Sequence, residues 1–484
     1  MGTTGQHHGA ADVGTAAPLL SSAAMDPTLE PPRRNMFAFV CATLASMTTI
    51  LMGYNLALMS GAELFMREDL GLTDEQVEIL SGSMNLFMLG SILAAGWAAD
   101  AIGRRGTIVL ANAFLMAGAL AMSLGGTYTT LLAARFVTSV GVGFAVVVAP
   151  VYAAEIAPAS SRGLLSSLVD FFITAGILLS YVSNYALAGL PLGLGWRAMF
   201  ALGVPPPLLL AAGVLAMPES PRWLAMRGRD GEARAVLERT SDTPAEAHHR
   251  LDEIRRAAAE EVGGAGVWRE LFVSPSPAVR RIVTNVLVLY SFQQASGIDA
   301  IVLYSPLVFK RAGISSNTTV LGATVAVGVV KTLSIFVATF LSDRLGRRPL
   351  LLASAAGIAA SLAALGITLL AGEATVAGEA ACVVWVVAFV TAFSIGLGPL
   401  APTYAAEILP LWLRAQGMSL GIAANRLTCG ILSMTFISLA NSITMAGCFF
   451  LYGSTAVAAW VFVYVRLPET KGRNLEDIGV LFAK

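Results

Sequence analysis

Asp100-Ala-Ile-Gly103-Arg104-Arg105 separates two apolar runs, and Asp343-Arg-Leu-Gly346-Arg347-Arg348 separates two more. Each is a short charged turn centred on a glycine. Two further matches recur in the same order at roughly the same separation, about 250 residues. Tyr152-Ala-Ala-Glu155-Ile-Ala-Pro158 pairs with Tyr404-Ala-Ala-Glu407-Ile-Leu-Pro410. Pro218-Glu219-Ser220 pairs with Pro468-Glu469-Thr470. Three ordered matches imply two homologous halves in parallel repeat, an arrangement that places a binding site between the halves.

The runs around these turns are too apolar for a soluble protein. Of 484 residues, 56% are hydrophobic and 13% charged, with a mean hydropathy of +0.71. A soluble domain is about 25% charged, so lipid must cover part of this surface. A membrane helix needs ~20 mostly apolar residues. Twelve runs qualify: 36–60, 76–99, 107–125, 129–153, 163–188, 197–217, 282–305, 318–341, 349–371, 379–405, 415–440 and 446–465. The expected fold is an all-α membrane protein with twelve transmembrane helices in two six-helix halves. Its parts are a cytosolic tail (1–35), a first bundle (36–217), a helical linker (218–281), a second bundle (282–465) and a final tail (466–484). The linker, with Glu232-Ala-Arg-Ala-Val-Leu-Glu-Arg239 and Leu251-Asp-Glu-Ile-Arg-Arg256, reads as short amphipathic helices.

Lys and Arg gather on the side that carries both termini and the linker, whereas the opposite 59–78 connection is acidic. By the positive-inside rule both termini are cytosolic. The formal net charge of zero gives no signal for nucleic acid. No metal-ligand spacing, nucleophile–base pair or phosphate loop appears, so the reading is of a transporter without metal or cofactor, not an enzyme. Cys41, Cys382, Cys429 and Cys448 all lie in apolar runs and read as packing residues.

Acids and arginines repeat at the cytosolic helix ends. They are Asp100, Arg104, Arg105, Glu155 and Arg162 in one half and Asp343, Arg347, Arg348, Glu407 and Arg414 in the other. Charges at a membrane edge need partners. These are expected to form a salt-bridge latch that holds in one state of the cavity and parts in the other.

Together with Pro218-Glu-Ser-Pro-Arg-Trp223, Gln293-Gln-Ala-Ser-Gly297, Gly396-Leu-Gly398-Pro399 and Pro468-Glu-Thr-Lys-Gly-Arg473, these motifs resemble the sugar porters of the major facilitator superfamily. Finer stretches, among them Gln293-Gln-Ala-Ser-Gly-Ile-Asp-Ala300 and Thr324-Val-Ala-Val-Gly-Val-Val-Lys-Thr332, resemble its plant polyol/monosaccharide branch. The resemblance implies plasma-membrane transport of a sugar or polyol, with protons as the default partner.

A polyhydroxylated ligand gives up many hydrogen bonds to water, so its pocket must supply amides, carboxylates and hydroxyls. Span seven offers Gln293, Gln294 and Asp299, and the chain is expected to bend at Ser296-Gly297. In the family the two glutamines and the position of Asp299 contact substrate. The resemblance carries that role to them, and to Asp170, Lys331 and Asn425. Asp299 and Lys331 are expected to pair and grip ligand hydroxyls. Span ten, with Gly398, Pro399 and Pro402, is expected to kink and to act as a gate. Two departures stand out. Proton-coupled relatives carry Asp in a Gly-Tyr-Asp context where this chain has Gly53-Tyr54-Asn55, and the nearby family arginine survives as Arg135. An amide cannot take up and release a proton near neutral pH, which weakens the proton-symport reading and sets facilitated diffusion beside it. Pro402 also replaces a family Trp. Both departures motivate a second reading, a sensor of transporter fold that binds sugar without moving it.

Overall fold

The computed structural model describes residues 35–158, 162–260, 276–371, 375–410 and 413–471. The expected tail up to residue 34, the end beyond 471 and the side chains of Arg162 and Asp343 lie outside the described residues.

Among the described residues, eleven helices are long and apolar enough to cross a membrane. One of them, Asp74–Leu124, has 51 residues. A straight helix of that length would run about 75 Å, more than twice the ~30 Å hydrocarbon core. It breaks at Gly103, whose φ of 87° and ψ of 166° are not helical, so it supplies two crossings and the total is twelve. The second half has the same break at Gly346 (φ 95°, ψ 167°), between Asn317–Leu345 and Arg347–Ala371. This backbone region is open to glycine alone, which is why both turns centre on that residue.

The first span corrects an expectation. It does not end near 60 but runs Met36–Leu70, and the next helix starts at Asp74. Gly71 closes the one in the left-handed conformation (φ 63°), and a Thr73/Gln76 capping box opens the other. The acidic connection is therefore only a turn, and Glu63 and Glu78 are helical and buried.

Two spans are broken where function is expected. Span seven consists of Pro277–Ala295 and Ile298–Arg311, joined through Gly297 at φ 81°. Span ten consists of Val376–Ile395 and Leu397–Ile408, joined at Gly396. The linker forms Pro221–Met226, Asp230–Thr240 and Pro244–Glu260, packed on a small core of Leu224, Ala233, Val236, Leu237, Ala247 and Leu251. It is fastened to the first half: Trp223 Nε1 donates to Asp100 O (2.9 Å) and Arg250 Nη2 to Glu155 O (2.8 Å). The four cysteines are buried and unpaired.

Hydrogen bonds between the halves gather at the end opposite the linker, here called the far end. Ser438 N–H donates to Glu78 Oε1 (2.8 Å), and Asn441 Nδ2 to Asp74 Oδ2 (3.1 Å). At the linker end, no hydrogen bond or ion pair joins the two bundles among the described residues. A ring contact between Phe171 and Phe336 (5.4 Å) does cross between the halves.

Candidate functional site

At the linker end each half carries one clasp, and the two match residue for residue, with one further backbone donor in the second half. Glu219 accepts from the N–H groups of Arg104 (2.9 Å), Arg105 (3.0 Å) and Ser220 (2.8 Å). Glu469 accepts from those of Arg347, Arg348 and Thr470, each at 3.0 Å, and of Lys471 at 2.9 Å. These are the orphan amides that follow each glycine break, a natural anion cradle. Burial alone would raise the Glu469 carboxyl, but the backbone donors of Lys471, Arg347, Arg348 and Thr470 together hold it below its ordinary value. Arg104 pairs with Glu155 (3.1 Å) and Arg347 with Glu407 (3.0 Å). Tyr152 Oη donates to Pro218 O and Tyr404 Oη to Pro468 O, both at 2.8 Å.

These ion pairs lie inside each half. Among the described residues none crosses between halves at this end. Arg414 Nη2 donates only to Leu409 O (3.3 Å), and Arg105 and Arg348 donate to the carbonyls of Met217 and Tyr464. Glu219 and Glu469 were absent from the expected charge set, although the repeated Pro-Glu motif pointed to them.

Between the halves lies a cavity of about 430 Å³, within the range of small-molecule sites. Gln293, Gln294, Asp299, Lys331, Asn425 and, from the first half, Asp170 all line it. Gly398, Pro399, Pro402 and Arg135 line it too. The cavity thus gathers the candidate binding and gating residues.

How they sit differs from what the residue types suggest. Pro402 has no N–H, so the carbonyl of Gly398, four residues back, lacks its helical donor. Gln293 Nε2 fills the vacancy, donating to Gly398 O at 2.6 Å and Leu397 O at 3.2 Å. Ser354 fixes the same break, receiving Leu397 N–H at 2.9 Å. Gln293 Oε1 accepts from Asn425 Nδ2 (2.7 Å), and Gln294 Nε2 donates to Asn425 Oδ1 (3.3 Å). One buried asparagine therefore ties both glutamines. Gln294 Oε1 is buried without a partner, which leaves it as a free acceptor.

The charges are also arranged differently. Asp299 and Lys331 face the same cavity but form no ion pair among the described residues, and Asp299 accepts instead from Cys429 Sγ (3.0 Å). The expected pairing is absent from this arrangement. Arg426 was missed by the sequence reading, although a lone arginine inside span eleven was visible there. Its Nε and Nη2 donate to Asn425 Oδ1 (2.9 and 2.6 Å), and Nη1 reaches Asn85 of the first half (3.4 Å). Arg135 is 1% exposed and donates to Asn55 O (3.2 Å), while its Nε has no partner. The Asn55 side chain turns back to Leu51 O (2.8 Å). Among the described residues no carboxylate pairs with this buried guanidinium, beside the position where the family resemblance leads to the expectation of Asp and the chain has Asn55.

Twelve crossings in two matching halves, closed over a polar cavity in an otherwise apolar body, define a membrane transporter of the major facilitator fold. The chain belongs to the family described as "Sugar (and other) transporter", whose profile matches residues 41–482. Among the relatives it resembles are "Polyol transporter 5" of Arabidopsis thaliana, 50% identical over 94% of this chain and 88% of that protein, and "Putative polyol transporter 2" of the same plant, 51% identical over 94% and 93%. Among solved structures, the proton:xylose symporter XylE bound to 6-bromo-6-deoxy-D-glucose is 27% identical with a TM-score of 0.76, covering 93% of this chain and 100% of that one. The inward open form of the E. coli xylose transporter XylE gives a TM-score of 0.80 at 24% identity, over 92% of this chain and all of that one.

Proposed function

We propose that this protein is an alternating-access transporter of polyols or monosaccharides, with both termini and the linker on the cytosolic side of the plasma membrane. The observation that carries the reading is the cavity. It presents amides, carboxylates and cations at the junction of two halves whose hydrogen bonds to each other gather at the far end. A ligand of many hydroxyls matches that mixture of donors and acceptors. Relatives named as polyol transporters and a structural neighbour named as a xylose symporter support the same class. Gln294, Asp299, Lys331, Asp170 and Arg426 are the expected ligand contacts. Gln293 and Asn425 hold the frame around them.

The test is uptake of labelled sorbitol, mannitol, inositol, xylitol, glucose and fructose in oocytes, with current recorded at acid and neutral outside pH. An electrogenic proton gains ~2.3 kcal/mol per 100 mV, so symport gives an inward, acid-enhanced, substrate-dependent current. Uptake without current identifies facilitated diffusion, the mode that Asn55 favours. Surface expression with no flux of any probe sinks the transport reading and leaves the sugar sensor.

A further inference from the structure

Two buried carboxylates at the far end belong to none of the contacts described for the ligand. Glu63 lies two turns beyond Asn55 on the first span and is 4% exposed; Glu78 opens the second span and is 2% exposed. Glu63 Oε2 accepts from Ser81 Oγ (3.2 Å). Glu78 accepts from both the N–H and the hydroxyl of Ser438, in the other half. Among the described residues no lysine or arginine stands within ion-pair distance of either acid. Arg67, one turn along the first span, is engaged with Asp74 at 2.5 Å, and Arg135 on span four reaches Asn55 O. Among the described residues, two phenols face these acids: Tyr304 of span seven, which donates to Ser433 O (2.8 Å), and Tyr452 of span twelve, whose buried hydroxyl has no partner.

A lone carboxylate at membrane depth is costly unless neutralised or hydrated. With one hydroxyl donor and no cation, Glu63 fits the closed far end as the neutral acid. When the far end opens, water reaches it and it exchanges a proton with the outside. Ser81 also lines the central cavity, so a single hydroxyl separates Glu63 from the ligand space.

We propose that Glu63 carries the coupling proton in this chain, in the role vacated at Asn55, and passes it to the cavity through Ser81. The inference rests on the transport reading above. In the transfer, the Glu63 carboxyl gives its proton to Ser81 Oγ while the Ser81 hydroxyl gives its own to a cavity water. A carboxylate and a hydrated proton result, with charge conserved. Glu78 bonds the opposite half and therefore acts on the gate, not on the proton's path.

The experiment uses the full chain in proteoliposomes, with the same sugar and polyol panel and electrometry on a supported membrane. In the unsubstituted protein, acid outside drives current and uphill accumulation. Glu63→Gln loses roughly tenfold or more of that current and all uphill accumulation, yet retains substrate counterflow, which needs no net proton movement. Glu63→Asp, which keeps an acid, recovers part of the current and shows that the loss is not misfolding. The proposal is overturned if Glu63→Gln accumulates substrate like the unsubstituted protein. It is equally overturned if the unsubstituted protein moves substrate with no proton, which leaves the transporter reading intact. If no probe moves, transport fails instead, and a pH jump without substrate still decides. A charge transient absent in Glu63→Gln keeps the proton site, and equal transients remove it.

Discussion

Pro402 and Gln293 show how one substitution redirects another residue's chemistry. The proline leaves a buried carbonyl at Gly398, and the Gln293 amide satisfies it at 2.6 Å. Removing that amide strands the carbonyl, at a cost of about 1–3 kcal/mol. Gln293→Ala is therefore expected to lower thermal stability in detergent. In a Pro402→Ala background the helix regains its own N–H, and the same change should cost clearly less. A double-mutant cycle reads the coupling; purely additive losses would remove the brace. Gln294 behaves oppositely, because its Oε1 is unpartnered inside the cavity wall. Gln294→Ala should leave the melting temperature nearly unchanged and raise the apparent KM for the transported polyol roughly tenfold, the equivalent of about 1.4 kcal/mol. Residue types, together with the family resemblance, marked Gln293, Gln294, Asp299, Lys331, Asp170 and Asn425 for one cavity. They could not tell brace from contact, since that depends on which carbonyl Pro402 orphans across a helix interface. Arg426 was readable as a charge within an apolar run. Its grip on Asn425 and Asn85 was not, because those partners lie on different faces and halves.

At the scale of elements, glycine breaks and the clasps that cap them define the linker end. A Cβ at Gly103 would sit 2.3 Å from the Glu219 carboxylate, and φ there is 87°. Gly103→Ala thus strains the backbone and expels the anion from its cradle, and we expect loss of correctly folded protein at the membrane. Glu469 gives a finer test. Its carboxyl is held below its ordinary value, so its stabilising share is full above the unfolded-state value, near 4.3. That share is lost as pH falls through the lower folded-state value. The stability gap between the unsubstituted protein and Glu469→Gln should be largest at neutral pH and close in acid; a gap constant with pH would remove the charge from the argument. Both clasps were half legible, since the charged turns and the Pro-Glu motifs repeat in the sequence. That one anchors the other is a contact across more than a hundred residues of chain, beyond the reach of periodicity. The far end was misread for a simpler reason. Charge density suggested a loop at 59–78, whereas Gly71 and the Thr73 cap confine the turn to three residues and bury Glu63 and Glu78 in helices.

At the scale of the whole molecule, under the alternating-access reading proposed above, this structure is one side of a two-state balance. The halves are bonded at the far end through Glu78–Ser438 and Asp74–Asn441, and the linker-end ion pairs stay within each half. A latch between halves, if built from Glu155, Arg414 and their repeats, belongs to the opposite state. The two ends therefore oppose each other, and one reporter reads both. Ala440 is 2% exposed beside the far-end bonds, so a cysteine placed there reacts with an outside thiol reagent only when the far end opens. Ser438→Ala removes the hydroxyl bond to Glu78 and keeps the backbone bond. At about 1 kcal/mol for one bond, labelling should rise roughly fivefold. The Glu155–Arg104 pair lies within one half and does not depend on which end is open, so Glu155→Gln and Arg414→Ala are expected to shift the balance through the state in which the linker end is closed, and labelling should fall. Equal labelling in all four proteins would mean that neither end sets the balance and that the repeated charges serve only to fix each half. Opposite shifts would identify the two ends as the competing gates of one carrier.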